Sequence, residues 1–131
     1  MIDAASGDDL LATAADAVLR VSDHLTTHDV DRELADPLEY GLDRGESHGV
    51  WLANHLDAAM FVTDEFGTSN YLLVALALAD RNTLFTTPHV LCVLAVNGIL
   101  DRRYVDAALT YYVDRKGWNR EYVDRIRDEY L

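Results

Sequence analysis

The sequence predicts an α/β fold: a short, mostly parallel sheet with helices on both faces, in one three-layer domain spanning residues 1–131. Three observations point there. Apolar stretches alternate between strand-like and helix-like from residue 24 onward, the βαβ order of a parallel sheet. The run Ala58-Ala59-Met60-Phe61-Val62-Thr63 is a buried strand, with a helical pattern on either side and almost no loop before it. Thr87-Pro88, just after a second short strand, is a helix start.

In chain order, Asp8-Asp9 supply an N-cap and first-turn acids for a helix to about Arg20, with Leu10, Leu11, Ala14, Val18 and Val21 at helical spacing. His24 to Val30 is rich in β-branched residues and reads as a strand, though its alternation is weak. Asp31 to Ala35 makes a helical turn before Pro37 interrupts it. Asp43 to about Leu56 is the second main helix. Its Gly45, Gly49 and Ala53 fall four apart, a spacing that lets a backbone lie close to a neighbour.

After the strand to Thr63, Phe66-Gly67-Thr68 turns the chain, and Thr68 or Ser69 caps a helix to about Ala79. That helix is apolar nearly all round, so burial on more than one side is expected. Asn82 to Thr86 is the next strand. The helix from Thr87 runs to Asn97, with Gly98 as its left-handed cap. Two amphipathic helices, Asp101 to Lys116 and Asn119 to Tyr130, complete the chain on either side of Gly117-Trp118.

Charge narrows the function. There are 23 acids against 11 bases, a formal net charge of -12, and Lys116 is the only lysine. Such a surface suits very high salt, where the Debye length falls to about 3 Å at 1 M. A cytoplasmic protein of a salt-accumulating microbe is expected. Nucleic-acid binding through a basic face is disfavoured, because few cations are present to release counterions. An enzyme that meets phosphate through a metal is not excluded. Cys92 stands alone in an apolar run, so no disulfide forms within the chain and a buried thiol is expected. The N-terminus has no basic stretch leading into an apolar core. The longest apolar run, Tyr71 to Ala79, is far too short to span the roughly 30 Å of a bilayer.

The candidate chemistry lies in the acids. Asp64 and Glu65 stand at the carboxyl end of a strand, where ligands bind in open α/β sheets. Carboxylates converging there, with no base among them, suit a hard divalent cation such as Mg²⁺ or Mn²⁺. Each acid also has a plainer reading. Asp43-Arg44-Gly45-Glu46 is a capping box in which Glu46 serves its own helix. Asp64-Glu65 can be a solvated turn that supplies first-turn acids to the next helix. The five histidines are expected in surface or packing roles. Trp51, Tyr104, Tyr111, Tyr112 and Trp118 are expected in core or interface positions.

Four stretches together resemble the PIN-domain family, metal-dependent ribonucleases common among the toxins of toxin–antitoxin pairs. They are Leu42-Asp43-Arg44-Gly45-Glu46 with Val50-Trp51-Leu52-Ala53; Phe61-Val62-Thr63-Asp64-Glu65; Thr86-Thr87-Pro88 to Leu94 with Asn97-Gly98-Ile99-Leu100; and Tyr104 to Trp118 with the last helix. The likeness covers about residues 23–131, and its acidity matches a halophilic archaeal type. It implies a PIN-like three-layer fold in which Glu46 and one or both of Asp64 and Glu65 hold Mg²⁺ or Mn²⁺ and serve catalysis on an RNA substrate. It also implies an antitoxin protein as partner. Asn70 is a weaker candidate, as a neutral oxygen where some relatives place another acid.

The departures from the family are specific. The family's usual aspartate two residues after the threonine is Glu65 here, one methylene longer. The family's opening strand and its first metal-binding aspartate have no good counterpart, Asp3 being the only candidate. The resemblance therefore implies an N-terminally truncated member: a fragment, a gene with a misplaced start, or a degenerate copy. Two functions follow. One is a ribonuclease; the other is a catalytically inactive PIN-like interaction or oligomerisation module. A homodimer is expected in either case, because a sheet without its central strand leaves edges to cover. An unrelated nucleotide binder is the weakest alternative, since neither a G-x-G-x-x-G nor a P-loop pattern occurs.

Overall fold

Helix caps written in the sequence set most of the element boundaries. A computed structural model of the chain describes residues 7–30, 41–66 and 69–131, in two units that divide after Ala35. In the first unit, α1 (Gly7–Arg20) matches the expected helix and passes into a 3-10 turn at Ser22–His24. Residues 25–29 have no regular structure, so the strand expected over His24 to Val30 is not formed. A strand needs a neighbour to take its backbone N–H and C=O groups. No ladder among the described residues reaches this segment; instead the Leu25 N–H donates to Ser22 O at 3.0 Å. The helical turn expected at Asp31 to Ala35, and Asp3, lie outside the described residues.

The first described helix of the second unit is α2 (Arg44–His55), whose N-cap Asp43 accepts the Glu46 backbone N–H at 2.8 Å. Asp57 ends the helix in a left-handed conformation, φ 51°, where glycine is more usual. That turn consumes residues expected in the strand. β1 is only Phe61–Thr63, and β2 is Leu84–Thr86, preceded by a 3-10 turn at Arg81–Thr83. The two strands run parallel, pairing Phe61 with Leu84, Val62 with Phe85 and Thr63 with Thr86. Gly49 lets α2 approach the sheet, since a Cβ there would sit 3.4 Å from the Phe61 ring. Gly45 has no such neighbour: its nearest atom is the Asp43 carboxylate, in its own cap.

α3 (Ser69–Ala77) leaves one stripe bare, with Leu72 and Leu76 59 % and 55 % exposed, while Val74, 1 % exposed, joins one apolar cluster and Tyr71 packs against another. α4 (Thr87–Val96) starts directly from β2, with Thr86 rather than Thr87 as N-cap and Pro88 in the first turn; Gly98 follows its end at φ 70°. α5 (Arg102–Lys116) is capped by Asp101 and closed by Gly117 at φ 72°; α6 (Arg120–Tyr130) is capped by Asn119. The fold is thus mixed helix and parallel strand, compatible with α/β.

Two apolar clusters hold this unit. Phe66, Cys92, Ala95, Val105, Leu109, Val123 and Ile126 pack between α4, α5 and α6. Val50, Val74 and Leu78 join α2 and α3, with Phe61 and Leu84 packed against them. Cys92 is fully buried, as expected of an inert thiol, and burial pushes its pKa up. Of the aromatics, Trp51, Tyr112 and Trp118 are partly buried, and Tyr112 stacks on Trp118 at 4.5 Å. Tyr104 and Tyr111 are exposed. No helix among the described residues is long and apolar enough to cross a membrane.

Candidate functional site

In parallel strands paired in register, the residues that follow each strand emerge side by side. Thr63 pairs with Thr86, so Asp64 and Thr87 leave the sheet together, and the Thr87 hydroxyl donates to Asp64 Oδ1. The turn after β1 is also pinned locally. The Glu65 N–H donates to Thr63 Oγ1 at 3.0 Å, and the Phe66 N–H donates to Asp64 O at 3.0 Å. Phe66 then enters the core, stacked on Tyr122 at 4.7 Å and edge-on to Trp118 at 5.3 Å. The two acids are therefore exposed side chains on a turn whose next residue is an aromatic anchor.

Glu46, in the first turn of α2, feels the charge of Glu65. Its pKa is raised, first by burial, then by the negative charges of Asp43 and Glu65; a hydrogen bond from the Asp43 backbone pulls the other way. The plainer reading of Glu46, as a group serving its own helix, is realised. The Asp43 backbone bond is the capping-box contact, while Glu46 Oε2 is buried without a hydrogen-bond partner among the described residues. A carboxylate oxygen in that state raises the free energy of the folded protein unless something satisfies it.

The structure thus brings Glu46 within electrostatic reach of Glu65, and it ties Asp64 to Thr87 instead. Asn70 lies in the first turn of α3, half-buried. Among the described residues, no group of three or more histidine, cysteine, aspartate or glutamate side chains is set to hold a metal. Mg²⁺ does not require one, because it usually keeps several waters and binds through one or two carboxylates plus substrate phosphates. An all-oxygen, negatively charged pair with an unsatisfied oxygen fits such an ion.

The sequence marked Thr63 only as the end of a strand and Thr87 only as a helix start, not as hydrogen-bond partners of the acid turn. Thr63 and Thr87 both hold the acid turn. Thr86, 1 % exposed, pairs with the Tyr122 hydroxyl at 2.9 Å, and burial raises the pKa of that phenol. The signal available was Thr86-Thr87 at the end of a strand that ends level with Thr63, but it depends on a register that sequence alone does not supply. No family model, curated protein or solved structure matches this chain.

Proposed function

We propose that this chain is a PIN-like ribonuclease dependent on a divalent metal, Mg²⁺ or Mn²⁺, in which Glu46, Glu65 and Asp64 supply the carboxylates. The supporting observation is Glu46 Oε2, buried and without a partner among the described residues, within reach of the charge of Glu65 near the end of a parallel strand. A cation bound there supplies Lewis acidity toward a phosphodiester and lowers the pKa of a bound water. The chain's own residues keep the acids together: Asp43 fixes the start of α2, and Thr63 and Phe66 fix the turn that carries Asp64 and Glu65.

In this reading the finer architecture is the PIN-like three-layer fold, the substrate is RNA and the setting is a high-salt cytoplasm. The protein is the toxin of a pair whose antitoxin is a second protein. The resemblance supports the fold, the substrate and the partner, and the excess of acids supports the high-salt setting. A second reading is an inactive interaction module, a homodimer included. It is favoured by exposed Met60, Val62, Leu72 and Leu76, at 47–59 %, and by a sheet of two strands with no further strand paired to it among the described residues.

Thermal unfolding in concentrated KCl separates the two. With Mn²⁺ at a hundred times its Kd, the protein gains about 2.7 kcal/mol, a rise in Tm of roughly 10 °C for a chain of this size. The double variant Glu46→Gln with Asp64→Asn shows no such rise, and Mn²⁺-dependent RNA cleavage disappears with it. Indifference of the unsubstituted protein to Mn²⁺ and Mg²⁺, in both stability and cleavage, would leave the interaction module as the surviving reading.

A further inference from the structure

We infer that Thr87 is a positioning residue for Asp64: its hydroxyl occupies one carboxylate oxygen and so sets the direction of the other. The inference rests on the metal-dependent reading above and adds a residue that reading does not use.

Asp64 by itself is poorly constrained. It is exposed, it follows the last residue of a three-residue strand, and its only side-chain hydrogen bond among the described residues is the one to Thr87. Thr87 is held from several sides. It is the first residue of α4, joined to β2 without a loop. The buried Thr86 before it is tied by its hydroxyl to Tyr122, and the buried Pro88 after it restricts the backbone. The donor is rigid and the acceptor is loose, so this hydrogen bond transmits the geometry of the strand–helix junction to the carboxylate.

The chemistry favours such an arrangement. A carboxylate accepts through both oxygens, and a hydroxyl carries one proton to donate. With Oδ1 taken by Thr87, Oδ2 is left for a cation or a water on it. Outer hydrogen-bond partners of this kind orient metal-binding carboxylates, and losing one typically weakens metal affinity by about 10- to 100-fold. Thr87 touches neither substrate nor ion in this scheme. It acts only through Asp64.

The test is Mn²⁺ binding, read from the loss of the free-ion electron paramagnetic resonance signal. It compares the unsubstituted protein, Thr87→Val, Thr87→Ala and Thr87→Ser. Valine keeps the shape and removes the donor; alanine covers the case in which valine does not fold; serine restores the donor. The Mn²⁺ midpoint is expected to rise about 10- to 100-fold in the valine and alanine variants and to return toward the original value with serine. In an Asp64→Asn background, Thr87→Ala should add little, because the two residues act as one unit. An unchanged midpoint in Thr87→Ala, or a loss that serine does not rescue, overturns the positioning role. If the unsubstituted protein binds no Mn²⁺, the metal-dependent reading fails first and the positioning role falls with it.

Discussion

The two apolar clusters of the second unit are unequal, and the acids sit on the weaker side. Between α4, α5 and α6, seven of the described residues form one buried cluster, with Trp118 and Tyr122 packed against it and Tyr112 stacked on Trp118. Between α2 and α3 the buried apolar residues, among those described, are Val50, Val74 and Leu78, while Leu56, Leu72 and Leu76 are exposed. Glu46, Asp64 and Glu65 all come from the second region or its strand. The thicker region reaches them through a few links: Thr87 to Asp64, and Phe66 lodged against Tyr122 and Trp118. The carboxyl-terminal helices therefore act as the fixed body to which a thinly packed acid turn is fastened.

The strongest way to break this contrast is Phe66→Ala. Phe66 is 5 % exposed, and truncating a buried phenylalanine costs about 3–5 kcal/mol. The site should suffer as well as the core, since the same residue ends the turn that carries both acids. Urea unfolding should show the loss, and any Mn²⁺ stabilisation should shrink with it. A full loss of stability without change in Mn²⁺ response would mean that the turn is held from the α2 side alone.

A smaller effect sharpens the thin side. Asn54 staples α2 to the end of α3: its amide donates to Ala77 O at 2.9 Å, and its carbonyl accepts the Ala79 N–H at 2.8 Å. Asn54→Ala leaves backbone groups at the end of α3 without that partner, a loss of about 1–3 kcal/mol where such groups are buried and less where water reaches them. Hydrogen exchange should then rise first at Leu78 and Ala79, while the amides of α5 and α6 keep their protection. Equal loosening everywhere would show that the two clusters unfold as one.

The stronger region was also the more legible one. Asp101, Gly117 and Asn119 mark the ends of α5 and α6 by local chemistry that needs no tertiary contact, and the structure places caps at each. Asp43 did the same for α2. The thin region was harder to read. An apolar helix can be buried all round or left half bare, and nothing within residues 69–77 distinguishes the two. The strand expected at His24 to Val30 failed because β-branched residues favour a pleated surface only where one exists. At the site, the acids were legible as residue types near a strand end. Thr87 was not, because its role is defined by strand register and by a partner 23 residues away.

The smallest expected effect separates a helix cap from a ligand. Glu46 has a raised pKa, chiefly through burial and then through Asp43 and Glu65. Between its ordinary value of 4.5 and its folded value, the folded state keeps a proton that the unfolded state has released. Stability from this group therefore falls as pH rises through that window, and above it ionised Glu46 is a standing penalty. Glu46→Gln removes the charge and keeps the capping box, which accepts glutamine equally. Urea midpoints measured from pH 4 to 8 should show the glutamine variant gaining on the original protein as pH rises, then holding its lead. Adding Mn²⁺ at pH 8 should reverse the order. A cap alone predicts no reversal, because a side chain that serves only its own helix has nothing to gain from a cation. A side chain that weakens the free protein and strengthens the loaded one is behaving as a ligand.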